Sequence, residues 1–330
     1  MCSVRRSSFA LALGLCAALV VAVAPLAAQT PDAQTWPQRT VKFVLPLGPG
    51  SGVDIGARLF ADRLAARWGK PVVVENRPGG DGIVAITAFV SAHDDHTLLF
   101  SPSSTFTAHP YLHTSLPYEP RDLLPIVRVS NTIVAIAVPE GLKVGSMAEL
   151  VALARAQPGK LNWATTTGLF DFVFAGYLKS ADLSITKVPY RDAVQALNDL
   201  GEGRIQVMLS ATAILRPQVQ AGRVRMIALT NRQRAAVAPD VPTVVEAGFP
   251  ELAVDGLIGL FGPPEMPNEL RERIAADIRA AAADPAIGER LAATGQVMNL
   301  GTAAEFSAAI AAQRAQAAAV GRLLDIKPAQ

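Results

Sequence analysis

Residues 41–78, VKFVLPLGPGSGVDIGARLFADRLAARWGKPVVVENRP, constrain this chain more than any other stretch, because they write a strand, a glycine-rich turn, a helix and a second strand without a break. Val41, Phe43, Val44 and Leu45 form a short apolar run that Pro46 ends, and Gly48, Pro49, Gly50, Ser51 and Gly52 then exclude regular structure. Asp54 stands where an N-cap or first-turn acid belongs. Ile55, Leu59, Leu64 and Trp68 recur at helical spacing until Gly69 and Pro71 stop the helix, and residues 72–74 are the next strand. Such a turn leaves N–H groups unpaired at a helix N-terminus, where the helix dipole also favours negative charge. The unit is an anion cradle in waiting.

Nucleotide readings of the turn fit poorly. A dinucleotide fold needs G-x-G-x-x-G, whereas the glycines here fall at Gly48, Gly50, Gly52 and Gly56. A P-loop needs Gly-Lys-Ser/Thr, and this turn closes with Gly52-Val53-Asp54. A plain strand-to-helix connection without a ligand is the remaining alternative.

The N-terminus reads as an export signal. Arg5 and Arg6 form a basic region, residues 9–23 an apolar one, and Leu26-Ala27-Ala28 a small-residue cleavage site, so residues 1–28 are expected to be removed. The apolar run is short for a membrane-spanning helix, which needs about 20 residues. Arg5-Arg6 before Ser-Ser-Phe hints at twin-arginine export and Cys16 at a lipoprotein, although Leu15 is a poor residue before a lipidated cysteine. Cys2 and Cys16, the only cysteines of the 330 residues, both lie in that segment, which excludes disulfides and cysteine catalysis from the mature chain. The net charge of +2 contains the two signal arginines, so the mature protein is near neutral, with no basic tract for nucleic acid.

Strands are expected at 41–45, 72–74, 97–100, 133–138, 205–209, 225–229 and 257–261. Helices are expected at 53–68, 83–91, 147–157, 172–179, 193–201, 213–221, 268–283 and 302–324. This alternation predicts an α/β fold with mostly parallel sheets. The two alanine-rich C-terminal helices are expected to pack on the outer face of the first lobe described below.

Pro46-Leu47-Gly48-Pro49-Gly50-Ser51-Gly52-Val53-Asp54-Ile55-Gly56-Ala57-Arg58 resembles the P-F-x-P-G-G-x-x-D-x-x-A-R motif of the periplasmic solute-binding proteins of tripartite tricarboxylate transporters, the Bug or TctC family. Val72-Val73-Val74-Glu75-Asn76-Arg77-Pro78-Gly79-Gly80 and Leu116-Pro117-Tyr118-Glu119-Pro120 are similar to two further family blocks. Lys187-Val188-Pro189-Tyr190-Arg191 and the run from Pro239 to Gly248 extend the likeness, which is collinear from about Trp36 to the C-terminal helices. The resemblance implies a type II periplasmic-binding-protein fold, two α/β lobes joined by two crossing hinge strands. Lobe 1 would comprise residues 36–132 plus 255–330 and lobe 2 residues 133–254, with crossings near 133–139 and 254–263 and a ligand cleft that closes by hinge motion.

By the same resemblance, the loop from Pro46 to Asp54 receives a ligand carboxylate on its backbone, with Gly50, Ser51, Gly52 and Val53 as contacts. Asp54 either meets a ligand hydroxyl or amine or caps the helix. Ser103, Ser104 and Thr105 follow an apolar strand and offer neutral donors, as do Thr165, Thr166, Thr167 and Gly168 from the second lobe. Here the chain departs from the family. Leu169, Phe170, Asp171, Phe172 and Val173 replace a polar stretch, so Phe170, and less strongly Phe172, either line an enlarged cleft or pack in the core. Asp192 stands where members mostly place glycine and would repel a second ligand carboxylate, disfavouring a tricarboxylate, or pair with a ligand amine; Arg191 could offset it or be a solvated surface residue.

His93-Asp94-Asp95-His96 carries metal-ligand types, but the family places an ordinary polar turn there, and His109 and His113 read as isolated. There is no G-x-S-x-G, no H-E-x-x-H and no cysteine nucleophile, so no enzyme and no cofactor are expected. The expected partners are a small-molecule carboxylate and membrane permease subunits, with the protein a periplasmic monomer. The alternative is an extracytoplasmic sensor built on the same lobes.

Overall fold

The computed structural model describes residues 35–165, 168–190 and 192–329, so the expected signal segment, Thr166, Thr167 and Arg191 lie outside the described residues. Strand β1 (Val41–Leu45), helix α1 (Gly52–Trp68) and strand β2 (Val72–Asn76) form the unit read from sequence, with β2 parallel to β1. Ser51, not Asp54, is the cap: its hydroxyl accepts the Asp54 N–H at 3.2 Å. Val53, Ala57, Phe60, Leu64 and Trp68 make the buried stripe of α1, which leaves Ile55 and Leu59 half-buried beside it.

Helix α2 (Ile83–Val90), strand β3 (Thr97–Pro102), the one-turn helix α3 (His109–Leu112) and strand β4 (Leu124–Thr132) follow. Sequence periodicity gives no strand at β4, because Pro125 and the polar Arg128, Ser130 and Asn131 blur its alternation. The chain then enters a second sheet through β5 (Val134–Pro139), α4 (Met147–Ala156), β6 (Leu161–Thr165), α5 (Gly168–Ser180), β7 (Ile185–Lys187), α6 (Ala193–Gly201), β8 (Val207–Ala211), α7 (Thr212–Gln220) and β9 (Val224–Leu229). It returns through β10 (Gly256–Gly262), α8 (Asn268–Ala282), α9 (Pro285–Ala293), β11 (Gln296–Gly301) and α10 (Ala303–Leu323). Strands β6, β7 and β11 and helix α9 are also absent from the sequence expectation.

The sheets run β11-β4-β10-β3-β1-β2 and β7-β6-β8-β5-β9. They are mixed, which corrects the expectation of mostly parallel strands. Of nine pairings between described strands, four are parallel and five antiparallel. The reversal has a topological cause: β5 and β10, the strands that cross between lobes, run opposite to both of their neighbours.

Each lobe has its own core, one around Phe43, Phe60 and Phe100 and the other around Trp163, Phe174 and Leu209. Helix α10 is not confined to the outer face of the first lobe. Phe306 and Ile310 pack with Phe261 of the first lobe, whereas Ala317 is buried in the core of the second. No helix among the described residues is long and apolar enough to cross a membrane.

The first crossing is held by one side chain from the end of β9. Asn231 Oδ1 accepts the Val134 N–H at 3.1 Å, and its Nδ2 donates to the Thr132 carbonyl at 3.1 Å. Gly256 lies so close to the first crossing that a Cβ there would stand 2.5 Å from the Thr132 carbonyl oxygen. Backbones thus touch at the hinge, where a side chain would force them apart.

Candidate functional site

A cavity of 510 Å³ opens between the lobes beside the hinge. Its first-lobe wall includes Gly50, Ser51, Gly52, Val53, Ile55, Ser104, Thr294 and Gln296; Phe170, Ser210, Ala213 and Ile214 face it from the second lobe. Thr132, Val134 and Gly256 floor it at the hinge. None of its described lining residues is charged.

The loop after β1 owes its shape to Asp54. Its buried carboxylate accepts the Gly50 N–H at 2.9 Å, Asn76 Nδ2 at 2.9 Å and Arg58 Nε at 3.1 Å, and pairs with Arg58 Nη2 at 2.9 Å. Asn76 also donates to the Leu47 carbonyl, which fixes the near end of the loop. Burial alone would raise the Asp54 pKa, but the bonds from Arg58, Gly50 and Asn76 outweigh it and hold the carboxyl below its ordinary value. Asp54 lies behind the cavity wall and orders the loop.

That arrangement selects which amides are available. Gly50 N–H serves Asp54 and Ser51 N–H serves the Gly48 carbonyl, whereas the Gly52 and Val53 N–H groups, the first two of α1, have no acceptor among the described residues. Both residues line the cavity, at the positive end of the helix dipole. Gln296 braces them from across the chain: its Nε2 donates to the Gly52 carbonyl at 2.6 Å while its Oε1 accepts from Ser130 Oγ at 2.8 Å.

The other candidates from sequence divide. Ser104 and Phe170 line the cavity, and Phe170, 2 % exposed, belongs at once to its wall and to the second-lobe core. Ser103 is turned away, donating to Gln313 Oε1 at 2.5 Å, and Thr105 lies against Gly82. Thr165 is buried at the end of β6, and Gly168 opens α5 beside Asp81. Phe172 stacks on Tyr111 at 5.6 Å. Asp192 caps α6, with Oδ1 accepting the Val194 N–H at 2.6 Å, and is exposed. Of the tetrad from His93 to His96, His93 stays outside the cluster that Asp94, Asp95 and His96 form. His109 and His113, which read as isolated, in fact converge with Asp81.

The family model described as the tripartite tricarboxylate transporter family receptor matches residues 56–324. The chain belongs to this receptor family. A UPF0065 protein of Bordetella bronchiseptica is 30% identical over 328 residues, covering 98% of each chain. A solved structure described as a periplasmic transporter superposes with TM-score 0.77 at 28% identity, covering 88% of this chain and 99% of that one. MatC from Rhodopseudomonas palustris, solved with bound malate, gives TM-score 0.74 at 25% identity, covering 86% and 99%. The fold is accordingly that of the type II periplasmic binding proteins, and the family is one of substrate-binding receptors.

Several cavity residues of this receptor escaped sequence reasoning. Ser210 follows the strand expected at 205–209, so the rule that sites gather at strand ends could have selected it. Gln296, Thr294 and Ile214 carry no local signal, because a single glutamine or isoleucine acquires its role only when a distant loop lands beside it.

Proposed function

We propose that this receptor captures a small organic monocarboxylate with an apolar, often aromatic, body in the inter-lobe cavity. It acts in the periplasm as a monomer and presents the closed form to membrane permease subunits. The observation that carries this reading is that, among the described residues, the cavity wall is uncharged and the helix N-terminal amides of Gly52 and Val53 have no acceptor. A carboxylate accepting both N–H groups gains about 1.5–3 kcal/mol from each charge-assisted bond. A second carboxylate would enter a wall with no described cation to meet it, at a cost of several kcal/mol. Phe170, Val134 and Ile214 instead reward apolar area, at about 25 cal/mol per Å². Malate bound to the related MatC supports the carboxylate class.

A thermal-shift screen tests this against benzoate, nicotinate, branched aliphatic monoacids, C4 dicarboxylates and citrate. At a hundredfold excess over Kd, a ligand stabilises the native state by about 2.7 kcal/mol, which is ~4 °C for a chain this long. Aromatic or branched monoacids are expected to give that shift, and Phe170→Ala to diminish it. A response to citrate or dicarboxylates alone refutes the reading.

A further inference from the structure

Away from the cavity wall, three side chains with metal-ligand chemistry meet. Asp81 sits in the turn Gly79-Gly80-Asp81-Gly82 ahead of α2 with a φ of 55°, in the left-handed region. His109 opens α3 and His113 follows it four residues later, so one helical turn puts both rings on the same side. One ligand atom from each of the three lies within 4.8 Å of the others. Asp81 Oδ2 is 3.5 Å from His109 Nε2 and 3.6 Å from His113 Nε2. A tetrahedral zinc shell with bonds of about 2.0–2.1 Å has ligand-to-ligand edges of about 3.3–3.4 Å, close to these separations.

An ion pair accounts for less of this geometry. Both Asp81-to-histidine distances reach the limit of a hydrogen bond or exceed it, and His113 Nε2 is buried without a hydrogen-bond partner. His109 is wholly buried, and its Nδ1 lies 2.5 Å from the Tyr118 hydroxyl. That contact fixes the orientation of the ring. His109 Nε2 faces the Asp81 carbonyl oxygen at 3.0 Å, which places the ring proton on Nε2 in the metal-free protein. A cation at Nε2 shifts that proton to Nδ1, where the Tyr118 oxygen accepts it. The second Asp/His cluster offers no unpartnered ring nitrogen like that of His113: His96 Nδ1 bonds Asp95 Oδ1 at 2.6 Å, and its Nε2 accepts the Gln38 N–H at 3.1 Å.

We propose that Asp81, His109 and His113 form a binding site for a divalent transition-metal ion of the zinc class. Three protein ligands leave a fourth position for water or a further donor. The site stands at the lobe junction, since a Cβ built on Gly168, the first residue of α5, would lie 3.3 Å from Asp81 Oδ2. It is separate from the carboxylate cavity, whose wall includes none of the three ligands.

The test is calorimetric titration of the chelator-stripped protein with zinc chloride, with bound metal counted by atomic emission. One equivalent per chain is expected, with affinity at least tenfold weaker in Asp81→Asn and in His113→Gln and unchanged in Asp95→Asn. His113 is partly exposed, so His113→Gln is expected to fold, as far-UV circular dichroism verifies. Absence of saturable binding by the unmodified protein, or equal binding by Asp81→Asn and His113→Gln, overturns the proposal.

Discussion

Replacing Asp54 with asparagine isolates what its buried carboxylate contributes to the loop after β1. Three groups donate to it: the Gly50 N–H, Asn76 Nδ2 and the Arg58 guanidinium. Hydrogen bonds to a charged acceptor are worth about 1.5–3 kcal/mol each, so the gross loss reaches several kcal/mol. Two effects reduce it. The asparagine oxygen keeps one acceptor, and Arg58, whose side chain is 50% exposed, recovers water. A net destabilisation of about 2–4 kcal/mol remains, and at ~0.6 kcal/mol per degree for a chain near 300 residues this lowers Tm by roughly 3–7 °C.

The pH dependence gives the experiment a second axis. The folded-state pKa of Asp54 lies below its ordinary 3.8, so its contribution is fully present above the unfolded pKa and disappears as pH falls through the lower folded value. The gap in Tm between the two proteins should be constant from about pH 5 to 7 and narrow below about pH 4. Differential scanning calorimetry across that range measures it. A gap under ~1 °C at pH 7, where about 2–4 kcal/mol is expected, would refute the assignment of Asp54 as the organiser of the loop.

Two further substitutions test the hinge and the wall of the cavity. Asn231→Ala strips the Val134 N–H and the Thr132 carbonyl of their shared partner and should cost about 2–3 kcal/mol in urea denaturation, and a loss below ~0.5 kcal/mol contradicts its role as a tie. Gly295 has a φ of 73°, and a Cβ there would lie 2.9 Å from Ala213 N and Thr212 Oγ1 of the opposite lobe. Gly295→Ala should therefore destabilise the chain by about 1–2 kcal/mol through left-handed strain, hold the lobes further apart in small-angle scattering, and weaken ligand binding; an unchanged radius and affinity would contradict the contact.

The unit from β1 to β2 was legible because its signals are local: apolar runs, a glycine turn and helical spacing all act within a few residues. The same locality left Asp54 as either an N-cap or a first-turn acid; it is the first-turn acid, because Ser51 three residues earlier supplies the cap and the bonds of Gly50 and Asn76 engage the carboxylate. Strands β4 and β11 stayed hidden because polar and proline-interrupted segments become strands only when neighbours supply a ladder. The two histidines looked isolated because Asp81, 28 residues before His109, reaches them through a turn that sequence does not aim.

By itself, then, the sequence determined the α/β alternation, the family and the amide cradle at the start of α1, all written in contiguous residues whose backbone preferences decide them. Only the tertiary structure decided which amides are left free among the described residues, that Gln296 braces a loop 244 positions away, that crossing strands reverse the sheets, and that the described cavity wall is uncharged. Those features depend on which distant surfaces meet, and the free energy that selects such meetings comes from burial shared across the fold, to which no single segment holds the key.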